Sequence, residues 1–264
     1  MKIVVCIKQV PETANVKIDP KTNTIIREGV SAVLNPFDEF AVEEAMRIKE
    51  KFGGDVTIVT MGPAQARDAL LKCLAMGADR AIHLCDTALA GSDTLATAYA
   101  LAQAIKGLSY DLVLCGKQAI DGDTAQVGPE LAERLGIPAI LGVKKVEVDP
   151  DRRTVRTHRE TEEGYEVLEC NMPALLTAIK GLNEPRLPTL KGIMGARNKE
   201  IKLVTALDLG VSKEHLGLEG SATWVSEVFV PQIKHKCMMI RGDDPEAAAK
   251  ELVNKLIDIG MISR

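Results

Sequence analysis

Short apolar runs alternate with longer segments of helical periodicity along the first half of the chain. The apolar runs are KIVVCIKQV, DVTIVTMG, RAIHLCD and YDLVLCG. The helical segments are NPFDEFAVEEAMRIKEKF, PAQARDALLKCLAMGA, SDTLATAYALAQAIKG and TAQVGPELAERLG. Strands that are apolar along their whole length are typical of a parallel sheet with helices on both faces. This alternation therefore predicts an α/β fold with a parallel sheet.

The pattern changes after Pro138. Shorter strand-like runs with turns at DPDRR and EEGYE predict a small strand meander. Residues 181–202 combine prolines, glycines and basic residues, which predicts an exposed loop. The segment of roughly 203–240 has no decisive pattern, and we expect it to form an extended arm before the helix PEAAAKELVNKLIDIG. KIDPKTNTII, near the start, predicts a hairpin or an excursion. We expect an α/β nucleotide-binding domain with its meander over 1–180, and the loop, arm and C-terminal helix over 181–264.

Charge and cysteine usage exclude several classes of protein. The net charge of −4 argues against binding to nucleic acid or to a membrane surface. No apolar run approaches the roughly 20 residues that span a bilayer, and MKIVVCIKQVPE predicts a strand rather than a signal peptide. Six cysteines without a CxxC pair and four scattered histidines indicate neither a metal site nor a disulfide framework. We expect a cytoplasmic protein with reduced thiols.

The connector GKQAIDGDTAQVG follows the strand YDLVLCG, where a parallel sheet binds its ligands. Gly116, Gly122 and Gly128 allow close backbone approach, and amides at a helix start suit a phosphate. Asp121 and Asp123 would repel a bare phosphate, so they fit better as helix caps or as partners of ribose hydroxyls. Ordinary turn chemistry remains an alternative for the whole connector.

A second segment, AGSDTLATA, offers similar chemistry before the third helix. Gly91 loosens the turn, Ser92 or Asp93 can cap the helix, and Thr94 and Thr97 place hydroxyls near its start. Helix capping alone is again the alternative. Neither segment is a GxxxxGK[ST] or a GxGxxG motif, and KQVPETA after the first strand differs from the SGGxDS-like loop of an ATP-pyrophosphatase. We find no arrangement of a catalytic nucleophile with its base, so we expect no catalytic residue.

Several long blocks resemble the β-subunit of electron-transferring flavoproteins. They are NPFDEFAVEEAMRIKE, MGPAQARDALLKCLAMGADRAIH, GKQAIDGDTAQVGPELAERLGIP and LNEPRLPTLKGIMGARNKEI, in the family's order and spacing. The family signature matches RETEEGYEVLECNMPALLT, which is residues 159–177. The signature usually opens on a small or aliphatic residue just before this string, and that position is Thr157 here. The resemblance covers almost the whole chain.

The resemblance implies an α-subunit partner that carries an electron-transferring FAD. In ordinary members the β-subunit holds AMP without a redox role. The positions that match the family's nucleotide site are Cys6, Asn35, Phe37, Asp38, Met61, Gly116, Lys117, Gln118, Asp121, Gly122, Asp123, Thr124, Ala125, Gln126 and Val127.

A narrower resemblance concerns the electron-bifurcating subset, which keeps a complete FAD in the β-subunit. Its pattern Gly-x-Asp-Thr-x-x-Thr is matched by Gly91, Asp93, Thr94 and Thr97, around Ser92. Gly122 also resembles this subset. The resemblance implies that NADH reduces the β-subunit flavin. One electron then passes through the α-subunit to an acyl-CoA dehydrogenase or other flavin dehydrogenase, and the other passes to ferredoxin or flavodoxin. Structural AMP is the alternative.

The segment LNEPRLPTLKGIMGARNKEI corresponds to the family's recognition loop for the dehydrogenase. Composition alone would favour a solvated basic loop, but its apolar residues are too many for a loop that only faces water. The candidate recognition residues are Asn183, Glu184, Pro185, Arg186, Leu187, Pro188, Leu190, Ile193 and Met194.

Overall fold

A computed structural model describes residues 1–12, 18–19, 24–25, 31–226, 237–240 and 244–262. The chain forms two compact units, Met1–Glu227 and Val228–Arg264. The strands are β1 (Lys2–Ile7), β2 (Gln9–Pro11), β3 (Ile18–Asp19), β4 (Thr24–Ile25), β5 (Ala32–Leu34), β6 (Asp55–Met61), β7 (Arg80–Leu84), β8 (Leu112–Gly116), β9 (Ala139–Asp149), β10 (Thr154–Thr161), β11 (Gly164–Asn171), β12 (Ala174–Ala178) and β13 (Ile201–Val204). The α-helices are α1 (Pro36–Phe52), α2 (Arg67–Met76), α3 (Thr94–Lys106), α4 (Val127–Leu135), α5 (Leu190–Ala196) and α6 (Pro245–Asp258).

The first unit is built on a nine-stranded sheet in the order β11-β10-β9-β12-β8-β1-β6-β7-β13. In this spatial order, all neighbouring strands from β9 through β12, β8, β1, β6 and β7 to β13 are parallel. At the other end of the sheet, β10 pairs antiparallel with both β9 and β11. Ile3 and Val5 face the core beneath α1 and α2, whereas Val4 and Cys6 face the core beneath α3 and α4. Both faces of β1 are therefore buried, and the predicted α/β fold is confirmed.

The predicted meander is part of this main sheet. The turns at DPDRR and EEGYE join β9, β10 and β11 as expected, and β9 also pairs with β12. Near the N-terminus, β2 pairs antiparallel with β5 and β3 with β4, which fits the predicted hairpin at its described residues. The remaining residues of that hairpin, Lys17 and 20–23, and Ile26 lie outside the described residues.

The prediction of an exposed loop over 181–202 missed a helix and a strand in its second half. The hydroxyl of Thr189 accepts from the Gly192 amide and caps α5, and Gly192 lies so close to α2 that an added Cβ would be 2.2 Å from the Ala75 carbonyl oxygen. β13 then pairs with β7 and becomes the last strand of the sheet on that side. Tertiary packing thus imposes structure where local periodicity is weak.

The prediction of an extended arm over roughly 203–240 is also wrong for residues 203–226. Ala206 and Leu216 are buried in the core beneath α3 and α4, and the turn Lys213–His215 lies between them. Residues 227–236 lie outside the described part of the chain. The predicted boundary at residue 180 stays a prediction, because it separates nucleotide binding from partner recognition and does not refer to compact packing units.

The second unit contains the predicted C-terminal helix. Asp244 caps α6 by accepting from the Glu246 amide at 3.1 Å, and Pro245 occupies the first helical position. In the part of the chain that the structure describes, no helix is long and apolar enough to cross a membrane.

Candidate functional site

The parallel sheet changes its winding direction between β1 and β8. From β1 the chain proceeds to β6 and β7 on one side, and then crosses through α3 to β8 on the other side. Cys6 and Cys115 are register neighbours at the carboxyl ends of the two strands. A crevice at such a switch point is the usual ligand site of an open parallel sheet. The connector 117–126 leaves β8 at this point.

Asp38 binds the ends of both strands from the first turn of α1. One carboxylate oxygen accepts from the Lys8 amide at 2.7 Å and the other from the Gly116 amide at 3.0 Å. Burial raises the pKa of the Asp38 carboxyl to about 7, although hydrogen bonds from Lys8, Asn35 and Gly116 act in the opposite direction. Phe37 lies on the same side, because an added Cβ at Gly116 would be 2.6 Å from the Phe37 Cβ. Gly116 therefore permits α1 to approach β8 closely.

Asn35 holds the connector and does not cap α1 with its side chain. It stands at the N-cap position, but no side-chain capping bond is present. Its amide nitrogen donates to the Gln118 carbonyl at 2.9 Å, and its amide oxygen accepts from Ile120 at 3.3 Å. The side chain therefore does not perform the capping role that an asparagine at the N-cap often has, because the Gln118 carbonyl and the Ile120 amide engage its two polar atoms.

The connector itself is a strained turn fastened by polar side chains. Lys8 donates to Asp121 at 2.7 Å, and Gln118 donates to Asp123. Asp123 and Ala125 both have a φ of +55°, which is unusual for residues other than glycine and is often found at functional sites. α4 begins at Val127, three residues later than predicted. Lys8 was not among the predicted site residues, and its position directly after β1 is the signal that could have identified it.

The segment before α3 meets the end of the connector. Asp93 caps α3 by accepting from Ala96 at 3.0 Å, whereas the Ser92 hydroxyl donates to the Leu89 carbonyl. The Thr94 hydroxyl donates to Glu130 at 3.0 Å and lies 3.4 Å from the amide oxygen of Gln126. Sequence reasoning missed Glu130, since nothing in the pattern of α4 distinguishes it from a solvent-facing glutamate.

The carboxyl groups of this edge have different environments. Burial raises the pKa of Glu130, and its second oxygen is buried with no hydrogen-bond partner among the residues that the structure describes. Burial also acts to raise the pKa of Asp93, but hydrogen bonds from Ala96 and Thr223 outweigh it and leave the pKa lowered. The pKa of the Cys6 thiol is raised to about 12 by burial. Cys6 is therefore a protonated, apolar part of the crevice floor rather than a reactive thiolate.

The other predicted nucleotide-site residues lie around this crevice. Met61 ends β6, next to β1. Lys117 follows β8 and donates its amide to the Ala178 carbonyl at 2.8 Å. Gly122 and Thr124 are exposed on the connector, and Thr97 is on the first turn of α3. The structure thus brings the two predicted phosphate-binding segments together at one edge of the sheet.

The candidate recognition loop, residues 182–201, presents an apolar surface. Leu187 is 87% exposed, Leu190 75% and Met194 68%, and Ile193 is exposed beside them. Pro185 and Pro188 are half-buried, and Glu184 is exposed. Apolar side chains exposed together in this way are typical of an interaction surface.

Two side chains of the recognition loop fasten its base to α1. Arg186 forms a bidentate ion pair with Glu43, at 2.8 and 3.1 Å, and a further ion pair with Glu50. The Asn183 amide donates to the Phe40 carbonyl at 2.9 Å and to Glu44 at 3.0 Å. The apolar tip is therefore carried on a rigid polar base.

Comparison with known proteins identifies related chains. The model of the electron transfer flavoprotein domain matches residues 22–209. The electron transfer flavoprotein subunit beta of Clostridium acetobutylicum is 52% identical, over 97% of this chain and 98% of that protein. Subunit CarD of the caffeyl-CoA reductase-Etf complex of Acetobacterium woodii is 48% identical over the same shares. Protein FixA of Azotobacter vinelandii is 45% identical, over 97% of this chain and 94% of the relative.

Proposed function

The chain belongs to the electron transfer flavoprotein family as a β-subunit, and on that premise we propose that it binds FAD at the switch-point crevice and serves in electron bifurcation. Subunits of this kind pair with an α-subunit, and the family generally binds flavin or AMP. The proposed donor is NADH, and the proposed acceptors are ferredoxin or flavodoxin and, through the α-subunit FAD, a flavin dehydrogenase.

The observation that carries the proposal is the meeting of Thr94 with the end of the connector. The Thr94 hydroxyl is within 3.0–3.4 Å of side chains on both Gln126 and Glu130. AMP has one phosphate, whereas FAD has two, and a second hydroxyl-bearing segment beside the connector suits the longer diphosphate. The position of Thr94 beside the end of the connector supports a role for the Gly-x-Asp-Thr-x-x-Thr pattern in holding such a diphosphate.

The residues of the crevice have distinct roles in this proposal. Asp38 holds the Gly116 amide, where the connector leaves β8, and Asn35 holds the Ile120 amide further along the connector. Gly116 also lets α1 approach β8. The connector amides and the Thr94 hydroxyl would hold phosphate oxygens. Burial raises the pKa of Glu130, and its carboxylate accepts the Thr94 hydroxyl beside the connector.

The redox chemistry would come from the cofactor, because FAD can accept a hydride from NADH and release its electrons singly. The protein's own residues bind and orient. Burial raises the pKa of Cys6 and of Cys115, so these thiols contribute apolar surface to the floor of the crevice and exclude water there.

The recognition loop would dock the flavin dehydrogenase. Its exposed leucines and Met194 offer an apolar anchor on a base fixed by Arg186 and Asn183. Because a preorganised loop loses less entropy on binding, this arrangement favours a recognition role. The relative named as a subunit of a caffeyl-CoA reductase-Etf complex supports an acyl-CoA dehydrogenase or similar enzyme as the partner. We propose that the complex acts in the cytoplasm.

The test is a flavin count on the purified, anaerobic αβ heterodimer. Two flavins for each heterodimer support the proposal, whereas one flavin with bound AMP supports the alternative of a β-subunit with a structural nucleotide. Thr94→Ala should lower β-site flavin affinity by about 10- to 100-fold, since a hydrogen bond to a charged group contributes roughly 1.5–3 kcal/mol. Thr94→Ser keeps the hydroxyl and is the matched control. Equal occupancy in the alanine and serine variants would contradict the assignment of Thr94.

A further inference from the structure

Residues 217–223, which we call the clasp, are bound to the segment immediately before α3. We propose that Gly91 and Asp93 act on nucleotide binding by holding the clasp, as positioning residues, and that only the threonines of their pattern contact the cofactor. This inference rests on the proposed function, because it assigns roles within the same crevice. It separates the Gly-x-Asp half of the pattern from its Thr-x-x-Thr half.

The Asp93 carboxylate is shared between α3 and the clasp. One oxygen accepts from the Ala96 amide at 3.0 Å, which caps the helix. The other accepts from both the amide and the hydroxyl of Thr223, at 2.9 and 3.1 Å. Both oxygens thus already accept hydrogen bonds from the protein, which leaves fewer acceptor sites for a ribose hydroxyl.

The backbone on the N-terminal side of Thr94 is held as well. The Asp93 amide donates to the Ser221 hydroxyl at 2.8 Å, and that hydroxyl donates in turn to the Gly217 carbonyl at 2.7 Å. Gly91 packs against Leu218, whose Cβ would be 3.5 Å from a Cβ added at Gly91. Gly91 has a φ of +76°, so it serves the turn and the clasp together.

The clasp also follows the preceding turn closely. An added Cβ at Gly217 would be 2.3 Å from the Ala88 carbonyl oxygen, and Gly217 has a φ of +58°. Earlier in the chain, eleven residues before the clasp begins, the Ala206 amide donates to Asp86 at 3.0 Å. Residues 86–93 therefore have C-terminal chain packed along them, and Thr94 is the first residue beyond this contact.

Coupling between the clasp and the nucleotide follows from thermodynamic linkage. If the clasp favours the conformation in which Thr94 is presented to the crevice, bound nucleotide must favour the clasp by the same factor. Thr223 is exposed, so each hydrogen bond contributes about 0.5–1.5 kcal/mol. That range corresponds to an effect of roughly 2- to 12-fold on affinity.

The experiment uses the αβ heterodimer with a pair of variants outside the pattern. Thr223→Val removes the hydroxyl that donates a hydrogen bond to Asp93, and Thr223→Ser retains that hydroxyl. We expect Thr223→Val to weaken β-site flavin binding by about 3- to 10-fold, and Thr223→Ser to stay within about 2-fold of the wild type. Retention of the α-site flavin should not change. Asp93→Asn keeps a capping oxygen but turns an amide toward Thr223, and it should weaken binding at least as much.

Hydrogen exchange gives a second measurement that does not depend on activity. Removal of the β-site flavin should increase amide exchange in residues 217–223 several-fold. The inference would be overturned if Thr223→Val bound flavin with wild-type affinity and if amide exchange in residues 217–223 were the same with and without the flavin. If the wild-type heterodimer carries only one flavin, the proposed function fails, and the same variants are then titrated with AMP. Loss of AMP affinity in Thr223→Val but not in Thr223→Ser still supports the clasp, whereas equal affinity refutes it.

Discussion

Gly116→Ala tests whether the close contact between β8 and α1 forms the floor of the crevice. An added Cβ would lie 2.4 Å from an Asp38 carboxylate oxygen, 2.6 Å from the Phe37 Cβ and 2.7 Å from the Phe37 carbonyl carbon. Favourable contacts between carbon atoms are about 3.5–4.0 Å. The first turn of α1 must therefore move by about 1 Å, and backbone atoms cannot be displaced as easily as the end of a side chain.

The expected cost has two parts. Overpacking a close contact costs about 1–3 kcal/mol. The movement also breaks the 3.0 Å hydrogen bond from the Gly116 amide to Asp38, and leaving a buried donor unpaired costs about 1–3 kcal/mol more. Together these give about 2–6 kcal/mol. For a chain of this size, each kcal/mol lowers the melting temperature by roughly 2–4 °C, so we expect a decrease of at least about 5 °C.

Gly122→Ala in the same connector is the matched control. An added Cβ there meets nothing within 4 Å, and the backbone is not in the left-handed region. Calorimetry of the heterodimer should show a melting temperature for Gly122→Ala within about 2 °C of the wild type. Gly116→Ala should also retain less nucleotide, because the connector is held by the same turn of α1. An unchanged melting temperature for Gly116→Ala would refute the argument from close contact.

Three further predictions concern Asp38 and the recognition loop. The folded-state pKa of Asp38, about 7, exceeds its ordinary value of 3.8; the stabilisation from this group is therefore complete below about pH 4 and is lost as the pH rises through 7. Asp38→Asn should flatten that part of the stability profile, and an unaltered profile would contradict the assignment. Leu190→Ala should raise the KM for the dehydrogenase partner about 10-fold while NADH reduction persists, and normal coupled turnover would count against docking. Arg186→Lys cannot form the paired contacts with Glu43 and should raise the same KM about 3- to 10-fold without changing kcat, whereas wild-type kinetics would exclude a positioning role.

Local sequence patterns were sufficient to predict the parallel sheet. Uniformly apolar strands such as KIVVCIKQV can be buried on both faces only in a helix-covered sheet. Strand order was not predicted, but the glycine-rich connector after YDLVLCG indicated where we expect a ligand to bind. The resemblance to a known family added the identities of the site residues, which periodicity alone left open.

Weak periodicity concealed the elements whose partners are distant in the chain. β13 and α5 form because β7 has a free edge and α2 has a surface that accepts Gly192. The sequence of 181–202 contains neither fact, so it resembles a loop. Long-range packing routinely overrides the propensity of a short segment.

The sequence by itself determined which residue types surround the crevice, whereas only the tertiary structure decided what each of them binds. Asn35 and Asp93 both occupy N-cap positions, and the sequence pattern predicted this for Asp93. The Asn35 side chain turns to the connector 83 residues away, and Asp93 divides its carboxylate between α3 and Thr223, 130 residues away. A polar side chain bonds whichever buried donors or acceptors the fold brings near it, and that set is fixed by packing rather than by neighbours in sequence.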